Sequence, residues 1–118
     1  MGWNIDHDRP IWMQLNEQLM LRIVTGEYPL GGRVPTVREL AEEAGVNPNT
    51  MQRALVHLEE QGLVITNRTV GRQVTEDEEK IRTVRLKLAE NKIADFLQGM
   101  RDLGFEEQEV LSLLSRKE

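Results

Sequence analysis

The chain has no cysteine, few aromatics and no long apolar run, and each lack removes a class of explanation. Without thiols there is no disulfide, no thiolate metal site and no cysteine nucleophile, a composition compatible with a reducing compartment. No segment approaches the roughly 18 apolar residues of a membrane span, so no membrane partner is expected. A basic-then-apolar leader is also missing from the N-terminus. Met1-Gly2 is followed by Asp6 where a myristoylation signal needs Ser or Thr. Asn67-Arg68-Thr69 spells a glycosylation sequon, which has no meaning in a chain that is not secreted, and the cytoplasm is the expected location. With aromatics at 4%, the core must be built from Leu, Val, Ile, Met and Ala.

What is present suits a soluble globular protein of one small domain, or a small domain with an appendage: 118 residues, 39% hydrophobic and 30% charged. The net charge is −5, with seven Lys/Arg against nine Asp/Glu in residues 1–75 and eight against eleven in 76–118. Neither half is basic, which argues against a protein that coats nucleic acid indiscriminately. A small footprint depends on the local field at the groove, so a specific DNA contact stays open.

Pro10 suits a first helical position, and Ile11, Leu15, Leu19 and Ile23 then recur every four residues with Trp12 and Met20 beside them, a helix over residues 10–26. Tyr28-Pro29-Leu30-Gly31-Gly32 is a turn-rich connection that fits nothing regular. Thr36 with Glu39 forms a capping box opening a short helix, whose inner face is Val37, Leu40, Ala41 and Ala44 and whose end is Gly45. Asn47 caps a third helix with Pro48 at its first position and Met51, Ala54, Leu55 and Leu58 as its apolar stripe. Two helices joined by a tight glycine turn form a helix-turn-helix. The outward residues of the second are Asn47, Asn49, Thr50, Gln52 and Arg53, side chains that hydrogen-bond base edges and phosphates. The alternative is a capped, solvated surface helix; Arg53 fits either use equally, and Arg38 has Glu42 at i,i+4 as an alternative partner.

Leu63-Val64-Ile65-Thr66 reads as a strand, with Val70, Val74 and Thr75 on the return, around a turn holding Arg68, Thr69 and Gly71. This hairpin carries Arg68 and Arg72 where a wing would reach DNA, although edge arginines also serve solubility. Thr75 with Glu78 spells a second capping box before a helix running to about Leu103. Its apolar residues are Ile81, Val84, Leu88, Ala89, Ile93, Phe96, Leu97, Met100 and Leu103. Gly104 breaks it, and residues 105–115 form a last helix with Val110, Leu111, Leu113 and Leu114. These two helices hold more apolar surface than they can bury alone, so a second copy is the expected partner. The interface would use Ile81, Val84, Leu88, Ile93, Phe96, Leu97, Met100, Leu103, Leu111 and Leu114. An unidentified small-molecule effector held by Phe96, Met100 and Phe105 is the sharper alternative, against which ordinary helix packing is favoured.

The order of motifs resembles the winged-helix domain of GntR-family bacterial regulators over residues 8–75. It runs through Pro10-Ile11-Trp12-Met13-Gln14-Leu15, Gly26-Glu27 and Gly32-Arg33-Val34-Pro35-Thr36-Val37-Arg38-Glu39-Leu40-Ala41. It continues through Gly45-Val46-Asn47-Pro48-Asn49-Thr50-Met51-Gln52-Arg53-Ala54-Leu55 and Leu58-Glu59-Glu60-Gln61-Gly62-Leu63-Val64. The Asn-Pro-Asn-Thr helix start and the short tail resemble the YtrA-like subfamily, which pairs the domain with two dimerising helices. The resemblance implies that Arg38 meets DNA and Thr36 lies near phosphate. It also implies Asn47, Asn49 and Thr50 in or beside the major groove, and Arg68, Thr69 and Gly71 at a wing tip in the minor groove. The chain departs from the family at Pro48 and Gln52, where many relatives have arginine. Its wing, Thr69-Val70-Gly71-Arg72-Gln73-Val74, also lacks a first glycine and an aromatic. Residues 76–118 are too few for the metal- or acid-binding effector domain of larger relatives.

The expectation is therefore a mainly α fold with a small β-hairpin: a winged helix-turn-helix domain over residues 1–75, then a two-helix dimerisation hairpin over 76–118. The function would be a repressor that binds a double-stranded, pseudo-palindromic operator as a homodimer, with no enzymatic activity and no cofactor. The alternative is a winged-helix module that binds protein. His7 and His57 lie far apart without ligand-spaced partners, so no metal site is expected, and Asp6, His7 and Asp8 read as a flexible terminal segment.

Overall fold

In the computed structural model, which describes residues 2–116, the apolar spacings become α1 (Ile11–Val24), α2 (Val37–Ala44), α3 (Pro48–Glu60), β1 (Val64–Asn67), β2 (Gly71–Val74), α4 (Glu78–Asp102) and α5 (Glu107–Leu114). The chain divides into two compact units, Met1–Arg82 and Thr83–Glu118.

In the first unit, α3 packs against α1, α2 and β1. The four-residue spacing of α1 places Leu15, Leu19 and Ile23 inward, in one core with Leu40 and Ala41 of α2 and Met51, Ala54, Leu55 and Leu58 of α3, all buried. Leu63, Val64 and Val74 close the core from the hairpin side. Asn16, buried on α1, donates to the Ala54 carbonyl at 3.2 Å and to Gln61 at 3.1 Å, so the polar atom inside the α1–α3 contact has partners.

The sheet is wider than the hairpin. β1 and β2 pair antiparallel from Val64↔Val74 to Asn67↔Gly71. The Val74 N–H also donates to the Gly32 carbonyl at 2.9 Å, and the Gly31 and Val34 N–H groups donate to Val74 and Arg72 at 3.0 and 2.9 Å. The connection before α2 thus borders β2 as a third, irregular strand. Its glycines hid this from pattern reading, because no alternation marks so short a pairing.

The N-terminal segment, expected to be flexible, is tied to α1. The Gln14 side chain accepts from the Asp6 N–H at 2.6 Å and donates to the Asp6 and Arg9 carbonyls. Gln18, one turn on, accepts from the Asn4 N–H at 3.1 Å and donates to its carbonyl at 2.7 Å. Two amides at i and i+4 satisfy an extended backbone much as a strand neighbour would. The Trp3 ring lies 4.2 Å from the Arg22 guanidinium and its indole donates to Glu43 at 3.1 Å. Burial alone would lower the Arg22 pKa; the hydrogen bond and charge of Tyr28, with Glu27 and Glu43, outweigh it and raise the pKa above its ordinary value.

A second correction concerns the start of α4. Thr75 does not cap it; its hydroxyl accepts from the Asp77 N–H at 3.1 Å, and Asp77 accepts from the Lys80 N–H at 3.1 Å. Thr75 is buried, three residues before the helix, so the exposed aspartate takes the cap.

Beyond Arg82 the character changes. None of the 25 residues of α4 is buried, and in α5 only Val110 is. Val84, Leu88, Leu97 and Met100 are half-buried, while Ile93, Phe96, Leu103, Leu111 and Leu114 are exposed, as are Leu86 and Leu113. Ile81, in the first unit, lines a recess with Ile23, Val24 and Leu30. Among the described residues no helix is long and apolar enough to cross a membrane.

Candidate nucleic-acid interface

The helix-turn-helix geometry begins at Thr36, whose side chain accepts from the Glu39 N–H at 3.1 Å and fixes the first turn of α2. Gly45 ends α2 at φ +69°, a left-handed position that a side chain would strain, and the Val46 N–H returns to the Ala41 carbonyl at 3.0 Å. Two residues later the Asn47 side-chain oxygen accepts from the Asn49 N–H at 2.8 Å, with Pro48 at the first position of α3. The cap uses only the oxygen of Asn47, which leaves its amide NH2 to donate elsewhere.

With Met51, Ala54, Leu55 and Leu58 turned inward, α3 exposes Asn49, Gln52 and Arg53 and leaves Thr50 half-buried. Arg53 is held: its guanidinium lies 4.2 Å from the centre of the Trp12 ring, while His57 meets that ring edge-on at 5.3 Å. A cation over an indole face loses freedom without losing charge, so Arg53 is placed along the α1–α3 surface yet stays accessible. Arg38, at the start of α2, is exposed and makes no ion pair among the described residues; the bond to Glu42 that its spacing allows is not formed.

At the wing tip the Asn67 side chain accepts from the Thr69 and Val70 N–H groups at 2.8 and 3.2 Å. Gly71, at φ +97°, then turns the chain into β2. This presents Arg68 and Thr69 outward. Arg72, one residue past the turn, points back: its Nε donates to Glu59 of α3 at 2.6 Å, and it keeps only 19% side-chain exposure. Gln73 donates to the Gly31 carbonyl at 3.2 Å and so ties β2 to the third strand.

Two clefts gather most of these residues. One, of about 310 Å³, is bounded by Thr36 and Arg38 on one side and Gly71 and Arg72 on the other, with Arg33 between them. The other, of about 500 Å³, lies beside the turn between α2 and α3 and brings Asn47 and Thr50 together with Trp3, Ile5 and His7. Gln52, Arg53, Arg68 and Thr69 line neither cleft and project from α3 and the wing tip. Sequence reasoning passed over Arg33, although it stood within the Gly32-Arg33-Val34-Pro35 motif, and Asn67, whose turn-forming residue type was a usable signal. The Arg72–Glu59 pair had no signal, since 13 positions separate its members. Among the described residues no group of three His, Asp or Glu is placed to hold a metal ion.

Residues 13–74 match the family model described as bacterial regulatory proteins, gntR family. The HTH-type transcriptional regulator YhcF of Bacillus subtilis is 35% identical over 103 residues, which cover 87% of this chain and 85% of YhcF. The HTH-type transcriptional repressor YtrA of the same organism is 35% identical over 68 residues, 58% of this chain and 52% of YtrA. A solved GntR family transcriptional regulator from Listeria monocytogenes superposes with a TM-score of 0.86 at 33% identity, over 97% of this chain and 100% of that one.

Proposed function

The chain belongs to the gntR family and is a DNA-binding transcriptional regulator rather than an enzyme, with a winged helix-turn-helix followed by a helical C-terminal region; on that premise we propose that it is a cytoplasmic repressor of the YtrA-like kind, binding a pseudo-palindromic operator as a homodimer. The observation that carries the DNA reading is the joint exposure of Asn49, Gln52 and Arg53 on α3 and of Arg68 and Thr69 at the wing tip, one set suited to base edges and the other to phosphate or a minor groove. Arg33 and Arg38 add two exposed cations beside the cleft at the start of α2. The repressor assignment is supported by the identity shared with YtrA.

Dimerisation is supported by α4 and α5, where a 25-residue helix buries nothing and Phe96, Leu103 and Leu114 are 46%, 73% and 67% exposed. Apolar surface on that scale favours a second copy of the same surface. Two recognition helices would then enter successive major grooves about 34–36 Å apart, or at a multiple of that spacing.

The test is binding to a labelled copy of the promoter upstream of the protein's own gene, titrated with salt and nonspecific competitor. Tight, competitor-resistant binding at two protomers per site, weakening steeply with salt, is the expected result. Failure on that promoter and in a selection from random DNA would give the lead to a protein-binding module.

A further inference from the structure

Resting on the DNA-binding reading, we propose that Arg72 is a positioning residue: with Glu59 it braces the wing against the recognition helix, and it does not itself grip phosphate. The observation is the bond that turns Arg72 away from the wing surface. Its Nε donates to Glu59 in the last turns of α3 at 2.6 Å, with the two side chains 19% and 32% exposed. The Arg72 carbonyl meanwhile accepts from the Val34 N–H at 2.9 Å, and across β1 the residue pairs with Thr66. One residue therefore ties three elements: the irregular strand before α2, the hairpin and α3.

Two physical points follow. A hairpin of two four-residue strands is marginal by itself, so the direction in which Arg68 and Thr69 point depends on what anchors its strands near the tip. Arg72 with Glu59 also carries no net charge. A phosphate held by the remaining N–H donors of Arg72 would sit beside the Glu59 carboxylate, whose charge opposes it. The pair thus contributes no counterion release, whereas exposed Arg68 would contribute about 0.9 to the salt slope.

The experiment uses the full-length protein and a duplex it has selected from random DNA, with affinity measured by fluorescence anisotropy across a salt series. Glu59→Gln and Arg72→Gln each weaken binding about three- to tenfold, the double variant is no weaker than either, and the slope of log affinity against log salt stays at the wild-type value. Arg68→Gln lowers that slope by about 0.9 for each wing bound, and Arg72→Lys recovers part of the lost affinity. A slope drop in Arg72→Gln matching that of Arg68→Gln, or tighter binding by Glu59→Gln, overturns the brace and makes Arg72 a phosphate contact. Amide exchange over residues 66–72 in the free protein gives a second readout, faster in Glu59→Gln and Arg72→Gln alike. Should the wild type select no duplex, the DNA reading fails on its own, and unchanged exchange in Glu59→Gln would then sink the brace separately.

Discussion

Leu15, Leu19, Leu40, Met51, Leu55 and Leu58 in the winged-helix unit are at 0% exposure, whereas the unit beyond Arg82 buries only Val110 among its described residues. The basic residues divide along a similar line: every one of the seven before residue 76 is arginine, and the lysines come after. Arginine offers a planar fork of donors and is weakly hydrated, which suits phosphates and base edges; lysine keeps a helix face solvated. One region thus has a finished core and an unoccupied polar face. The other has solvated charge and an unfinished apolar face. The first suits a polyanion; the second is the surface proposed to meet a second copy.

The largest test of this contrast is Leu55→Ala, at 0% exposure in α3, which is expected to lower stability by about 2–5 kcal/mol in urea denaturation. Leu103→Ala, at 73% exposure, is expected to change little at protein concentrations too low for association. An equal loss from both would mean that the C-terminal helices have a core after all.

Next comes Phe96→Glu, a charge placed in the proposed interface at a site 46% exposed. Sedimentation equilibrium should show a monomer, the winged-helix melt should be unchanged, and affinity for a two-half-site duplex should fall about 100-fold as the second contact ceases to be intramolecular. A dimer that survives with full affinity would put the association surface elsewhere.

The unequal completeness of the two regions also explains what could be read from the sequence. Leu15, Leu19 and Ile23, or Met51, Leu55 and Leu58, repeat at helical spacing because one face of each helix is packed, and the caps at Thr36 and Asn47 follow from residue type alone. The third strand at Gly31–Gly32 stayed hidden because its pairing rests mainly on backbone atoms, with the Gln73 side chain as an addition. The glutamine pair that holds Asn4 and Asp6 was hidden for a related reason, since a glutamine that bonds backbone reads in sequence as a surface residue. The bond from Arg72 to Glu59 was not legible because its two partners belong to different elements. Side-chain pairs across elements are set by tertiary approach, and no local pattern encodes them.

Within the polar face, Arg38→Ala separates an exposed cation from the braced Arg72. Arg38 has no ion pair among the described residues, so its loss should lower affinity for selected and unrelated duplexes alike and reduce the salt slope by about 0.9 per protomer. A loss confined to the selected duplex would make Arg38 a reader of sequence, and an unchanged affinity would remove it from the interface.

The smallest effect contrasts the caps of the two kinds of helix. Thr36 caps α2, whose Leu40 and Ala41 are buried, while Asp77 caps α4, which buries nothing. Removing either side chain costs about 1 kcal/mol of helix stability. For Thr36→Ala that cost should appear in the global urea midpoint, because α2 cannot unwind without opening the core it shares with α3. For Asp77→Ala it should appear only as faster amide exchange in the first turn of α4, since a helix end with no buried residue can fray alone. If Asp77→Ala instead shifts the global midpoint as much as Thr36→Ala does, the first turn of α4, which lies within the winged-helix unit, opens only together with its core.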